Sequence, residues 1–215
     1  MADVFTLEFD FRNTRFTKAS VGLEAFARGL KKDWDGSTVA LSRELRAFLD
    51  TVAQALASRH SAAWPGGTGA TTLSKRSGNL AQSIIQSVQV TGGTLADTVG
   101  TIGSDMIYAR IQEFGGTIHA KNAQFLTIPL PAALDSSGLP LKSKARDWPN
   151  TFCRRSKAGN LIIFQTRGTS IVPLYVLKES VVIPPRLGMG KMLQAGMGYF
   201  VDRAADAIVR ELRAK

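Results

Sequence analysis

Cysteine is almost absent from this chain. Cys153 is the only one in 215 residues. No disulfide can close within one chain, and a cysteine-based zinc site is excluded. The pattern fits synthesis in a reducing cytosol. Histidine is nearly as scarce, with His60 and His119 in different predicted elements. A Ser-His-Asp device needs a histidine within hydrogen-bond reach of both partners. A two-histidine metal centre needs carboxylates at regular spacing nearby. Neither pattern occurs, so catalytic and metal-ligating residues are expected to be none. Long apolar runs are missing too. The run "IVPLYVL" (Ile171–Leu177) is too short to span a bilayer. The stretch "MADVFTLEFD" has no basic region followed by an apolar one, so it does not read as a signal peptide. No membrane partner is expected.

What is present is enough apolar content for a core. The 44% apolar share excludes a disordered chain, and the length suits one domain, or one with an inserted lobe.

Two places imitate a phosphate-binding loop, which needs Gly, four residues, then Gly-Lys-Ser/Thr. "GATTLSKR", from Gly69, has Ser74 in place of the second glycine and Arg76 in place of the hydroxyl residue. "PRLGMGKM" has Pro185 in place of the first glycine and Met192 in place of the hydroxyl residue. Neither supplies the metal-binding hydroxyl, and no cofactor is expected.

The net charge of +10 is unevenly spread. Residues 121–190 hold 10 Lys/Arg against 3 Asp/Glu, whereas residues 1–60 hold 9 against 8. A local excess points to an anionic partner, nucleic acid or an acidic protein surface. A solvated basic loop that maintains solubility is the bland alternative. The cations lie in a Gly/Pro-punctuated stretch rather than on a recognition helix. That favours non-specific phosphate contact or docking to an acidic surface.

The element pattern is mixed. "VFTLEFDF" alternates, with Phe5, Leu7, Phe9 and Phe11 on one face, the period of a half-buried strand. Residues 17–32 read as a short helix, weakened by Gly22 and Gly29. Asp35-Gly36 reads as a turn, with Ser37 capping a second helix. Over Thr38–His60, the spacing of Leu41, Leu45, Phe48, Leu49, Val52 and Leu56 predicts a long amphipathic helix. "WPGGTGATTLSKRSG" reads as a mobile loop. "SGNLAQSIIQSVQV" and "TLADTVGTI" flank Gly92-Gly93 as the two strands of a hairpin. A short helix capped by Ser104 or Asp105 carries Ile107, Ile111 and Phe114 on one face and ends at a left-handed Gly115.

"QFLTIPLP" reads as a strand closed by Pro129 and Pro131. Residues 132–159 read as a basic insertion or extended loop carrying Lys142, Lys144, Arg146, Arg154, Arg155 and Lys157. Beyond it lie two more strands, "NLIIFQT" and "SIVPLYVLK", and the extended "VVIPPR". A last helix over about 190–213 places Leu193, Met197, Val201, Ala204, Ile208 and Leu212 on its apolar face. These elements define an α+β fold: a small, mostly antiparallel sheet packed against a long helix from each end of the chain. Residues 1–215 read as a single domain, with 1–36 as an N-terminal extension.

Glu113 is the one carboxylate in a distinctive setting, "MIYARIQEFGGTI". Arg110 lies three residues before it, a helix-surface pair worth about 0.2–0.5 kcal/mol. A single glutamate without a second carboxylate at fixed spacing is weak ground for acid–base chemistry.

Four segments taken together, "KRSGNLAQSI", "TIGSDMIYARIQEFGGTI", "FLTIPLP" and "VVIPPR", resemble the tail-completion and neck proteins of long-tailed bacteriophages, the phage virion-morphogenesis proteins. The matching positions are Gly78 and Leu80, then Tyr108, Ala109, Glu113 and Gly115, then Pro185 and Arg186. In order they cover residues 37–213, about four fifths of the chain.

The resemblance implies a structural virion protein without catalysis. It forms a homo-oligomeric ring, often six-fold, at the head–tail junction or the end of the tail tube. The implied partners are the head–tail connector, tail-terminator or tail-tube proteins, and packaged DNA contacted non-specifically. Within this picture Tyr108 packs its ring while its hydroxyl reaches a partner. Glu113 holds a corner by accepting backbone or arginine hydrogen bonds, with Arg186 as the candidate arginine. Neck, tail-completion and minor tail subtypes stay open. Readings from other classes are a non-sequence-specific nucleic-acid-binding module and a hydrolase using Glu113 and His119.

Overall fold

The computed structural model describes residues 9–11, 14–16 and 19–213. The fold is α+β, with antiparallel strand pairs and long helices near both ends of the chain. Of the N-terminal strand, Phe9–Phe11 (β1) is described and pairs with Thr14–Phe16 (β2). The rest of that expected strand lies outside the described residues. Among the described residues, no helix is long and apolar enough to cross a membrane.

The chain forms two compact units. The first comprises residues 1–53, 87–103 and 192–215. Its longest element is the N-terminal part of helix α1, which runs unbroken from Ala19 to Arg59. The turn expected at Asp35-Gly36 is therefore absent. Ser37 does not cap a helix start either. Its Oγ donates to Asp33 O (2.9 Å), and Thr38 Oγ1 donates to Trp34 O (3.1 Å), one turn back. Glycine at 36 meets a packing need: a Cβ there would lie 3.2 Å from the Glu211 carboxylate. Tertiary approach overrides local propensity here. The apolar face sits where the spacing placed it, with Leu49, Val52 and Leu56 buried.

Helix α4, Met189–Arg213, starts and stops close to expectation. Its buried face matches in part, with Leu193 and Ile208 half-buried. Ala204 and Ala207 are buried, whereas Met197, Val201 and Leu212 are exposed. Small residues set the contact: Phe48 stacks on Phe200 at 5.2 Å and lies over Gly196. Arg203 donates to Glu44 Oε2 from Nε (3.0 Å), with Nη2 at 2.9 Å, fixing the same helix pair.

The expected hairpin is present, although its first run is only half strand. Asn79–Gln86 is a helix, α2, in the second unit. Leu80, Ile84 and Val88 fall at four-residue steps, and that period wins over alternation. Gln89–Thr91 (β3) then pairs with Val99–Thr101 (β4). Leu45 and Leu49 of α1 pack onto Gly100.

The second unit comprises residues 54–86 and 104–191. Helix α3 is short, Ala109–Phe114. The expected cap at Ser104 or Asp105 is too early, because Ser104 Oγ accepts the Met106 N–H and holds a turn instead. Gly116–His119 (β5) pairs with Ser180–Ile183 (β10). Leu126–Pro129 (β6), Thr151–Arg155 (β7), Leu161–Arg167 (β8) and Ser170–Lys178 (β9) form an antiparallel sheet in the order β6-β9-β8-β7. Part of the expected loop 132–159 is thus strand β7, one edge of this sheet.

Segment 131–149 folds over one sheet face. Ala133, Leu174 and Tyr175 form the core there, and Trp148 Nε1–H donates to the Tyr175 hydroxyl (3.0 Å). The expected mobile loop is tied by backbone bonds: Trp64 N–H to Lys75 O (3.2 Å) and Lys75 N–H to Ala62 O (2.8 Å).

One carboxylate closes the hairpin turn. The Asp97 carboxylate accepts from Thr94 N–H (2.6 Å), the Thr94 hydroxyl (2.8 Å) and Gly93 N–H (3.0 Å). The Thr94 amide, then its hydroxyl, hold the Asp97 carboxyl below its ordinary value. A depressed carboxyl stabilises the fold above its unfolded pKa, and that contribution is lost as pH falls through the folded value. The β3–β4 turn is expected to stay closed at neutral pH and to loosen only as pH falls below the ordinary aspartate range. Amide hydrogen exchange at Thr94 reports this, and Asp97→Asn removes the acid step.

Candidate functional site

Most of the motif residues, Tyr108, Ala109, Glu113, Gly115, Pro185 and Arg186, lie at one corner of the second unit. Helix α3 opens at Tyr108, whose carbonyl accepts the Gln112 N–H (3.2 Å), and Ala109 is buried behind it. The helix closes with Gly115 N–H donating to Ile111 O (2.9 Å). Gly115 does not take the left-handed helical conformation expected. Its φ of 71° with ψ of −177° belongs to a region that only glycine occupies freely. A Cβ at this position would lie 2.9 Å from both Ile183 O and Pro185 Cδ. Glycine is therefore required twice, for its torsions and for the closeness of the Pro185 segment.

Two distant stretches are stitched together here. Gln112 O accepts both Arg186 N–H (2.7 Å) and Leu187 N–H (2.8 Å). The Glu113 carboxylate accepts Met189 N–H (2.8 Å) from one oxygen and Gly190 N–H (2.9 Å) from the other. These are free donors of the first turn of α4, so Glu113 caps that helix from another element and places negative charge at its positive end. The backbone half of the expectation for Glu113 is met.

The arginine half is not. Among the described residues, no ion pair joins Glu113 to Arg186 or to Arg110, and Arg186 Nε is buried without a partner. The α4 amides occupy both carboxylate oxygens. Tyr108 is 44% exposed, so its ring is not packed into the core. Among the described residues its hydroxyl has no hydrogen bond. Gly78 (φ 83°) and the half-buried Leu80 stand one step away, where Ser83 Oγ of α2 meets Ser104 Oγ at 2.6 Å.

His60 belongs to this corner, which sequence patterns did not reveal. Its Nδ1 accepts Leu73 N–H (3.1 Å), so Nε2 carries the proton and donates to Leu187 O (3.0 Å). Both ring nitrogens serve structure. His119 stands apart, exposed on β5. Among the described residues, no group of three or more His, Cys, Asp or Glu side chains is placed to hold a metal ion.

The corner is apolar on its outer side. Ile107, which precedes the helix, is 100% exposed and Phe114 75%, whereas Ile111, expected on the same face, is half-buried. A six-residue helix cannot bury every apolar side chain it carries while Glu113 holds α4.

The expected contact residues Lys142, Lys144, Arg146, Arg154, Arg155 and Lys157 are all exposed in this unit. Arg154 and Arg155 are neighbours on β7 and so point to opposite faces of the sheet. Arg155 Nη1–H donates to Gly159 O (3.2 Å). Among the described residues none of the six pairs with a carboxylate. An open groove of about 360 Å³ lies beside Arg155, floored by Leu161 and Leu177.

Compared with known proteins, the chain matches no protein-family model, no curated protein and no solved structure.

Removing the cap tests the corner. Glu113→Ala is expected to lower stability by about 1–2 kcal/mol in denaturant unfolding and to speed amide exchange at Met189 and Gly190. A double-mutant cycle with Arg186→Ala should show coupling no larger than about 0.5 kcal/mol, because no ion pair links the two side chains.

Proposed function

We propose that the protein is a structural virion subunit of a tailed bacteriophage. It acts at the head–tail junction or tail end as a neck or tail-completion ring that joins the tail to the capsid connector. The supporting observation is the corner itself. Segments 108–118 and 183–190, which carry most of the resemblance, lie far apart in sequence and are bonded through Gln112, Glu113 and Gly115. Their residues are spent on holding backbone, as a building part requires. Ile107 and Phe114 are large exposed apolar side chains of the kind that assembly covers. In this reading the protein has no catalytic role, is made in the host cytoplasm and ends in the virion. Its partners are further copies of itself, six-fold by the resemblance, and the adjoining connector, tail-terminator or tail-tube proteins.

The unpaired cations give a second reading, a nucleic-acid-binding module outside the virion, and within the first reading they face either packaged DNA or an acidic neighbour. Electron microscopy of particles from the encoding replicon with the gene deleted separates the two readings. Filled heads beside separate tails are expected; normal joined virions overturn the neck assignment. For the cations, duplex binding by the purified protein should be indifferent to sequence and fall steeply with salt if they meet DNA. No binding at low salt assigns them to a protein neighbour.

A further inference from the structure

The four-stranded sheet has two open edges, and their chemistry differs. Cross-strand hydrogen bonds in an antiparallel ladder alternate along each strand. Thr166 N–H donates to Asn150 O (3.0 Å) and Ser156 N–H to Asn160 O (2.8 Å), which sets the phase on β7. The backbone groups of Phe152 and Arg154 therefore face β8, and those of Thr151, Cys153 and Arg155 face outward. On the other edge, Leu130 N–H donates to Leu174 O (2.8 Å), so Ile128 faces β9 and Thr127 and Pro129 face outward. Among the described residues no further hydrogen bond reaches these outward groups. All five residues of β7 are exposed.

We propose that β7 of one copy pairs with β6 of the next, joining the sheets of neighbouring subunits edge to edge. The inference rests on the ring reading and names its contact. Four strands in alternating direction leave the two edges running opposite ways. A copy rotated about an axis along the strands then meets its neighbour antiparallel, and the contact repeats head-to-tail, as a closed ring requires.

The charges argue against the two-fold alternatives. Pairing β7 with its own copy gathers Arg154, Arg155 and Lys157 of both chains around one short ladder with no carboxylate among them. Pairing β6 with itself loses a donor at both copies of Pro129. The mixed pair meets only one proline and sets the basic strand against an uncharged one.

The register that centres Cys153 on Thr127 uses the outward residues of both strands and lays Thr151 against Pro129. It also sets Phe152, 37% exposed, beside the neighbour's Ile128, extending one apolar face from copy to copy. Cys153 and Thr127 then lie on the same face, with Cα atoms about 5.5 Å apart, a separation a disulfide can bridge.

The test uses the full-length protein under mild oxidation, read on a non-reducing gel. Thr127→Cys should give covalent dimers and longer chains through native Cys153. Ile128→Cys, on the opposite face, should give none, and adding Cys153→Ser to Thr127→Cys should abolish the ladder. In solution, Cys153→Pro removes one outward N–H and spares the β7–β8 bonds. It should weaken self-association by roughly tenfold while the melting curve is kept.

The proposal is overturned if Thr127→Cys gives no intermolecular product, or if it and Ile128→Cys cross-link equally. Covalent dimers of the wild-type chain through Cys153 overturn it too, since they report two-fold pairing of β7. Rings seen by microscopy without the cross-link sink the edge contact and leave the neck reading standing. Joined virions without the protein sink the neck reading, while the gel still reports on the edge.

Discussion

The carboxylate of Glu113 lies on the first turn of α4, and the second unit is organised around that contact. One side chain satisfies two backbone donors that would otherwise face solvent at a helix start. For its oxygens to arrive there, α3 must stop after Phe114 and the chain must leave in a direction open only to glycine. Gly115 supplies that direction, and Pro185 fills the space where its side chain would be. Gln112 then fixes the returning strand with a doubly shared carbonyl. His60 fastens the carbonyl of Leu187 from the far side, so the approach to α4 is held at Arg186, Leu187, Met189 and Gly190.

Much of this is legible from residue types. A Phe-Gly-Gly stop after a short apolar helix announces a corner, and the prolines of "VVIPPR" announce an extended partner. The bond between them is not legible, because nothing local says that a glutamate will cap a helix that begins 76 residues later. Arg186 is the nearest opposite charge in the motif set, yet backbone amides outcompete it. His60 gives no signal at all. A histidine that ties a loop is chosen by tertiary geometry, and its neighbours in sequence carry no trace of that.

The helices show where periodicity is dependable and where it fails. In α1 the apolar residues that recur at helical steps include the buried Leu49, Val52 and Leu56. In α4 the expected Met197, Val201 and Leu212 point outward, the buried residues are Ala204 and Ala207, and Phe48 lies against Gly196 and Phe200. Close approach of two helices rewards small side chains, and patterns that count only bulk miss such a seam. The same blindness produces the false turn at Gly36, which is a site of close contact inside a continuous helix. Strand β7 is hidden for a different reason. Its charges make it look like a loop, yet an edge strand is where charge belongs in a sheet.

The irregularity between Ile163 and Phe164 divides the sheet mechanically. On one side of it, rows of paired residues cross all four strands without interruption: Arg154–Ile162–Val176–Ile128, Cys153–Ile163–Tyr175–Pro129 and Arg155–Leu161–Leu177–Thr127. On the other side, the row through Phe152 and Phe164 ends at Pro173 and never reaches β6. A sideways pull on β7 near Arg155 is therefore carried straight to the far edge, whereas the same pull near Thr151 is absorbed in the β8–β9 hairpin. The sheet is stiff along one half of its length and compliant along the other.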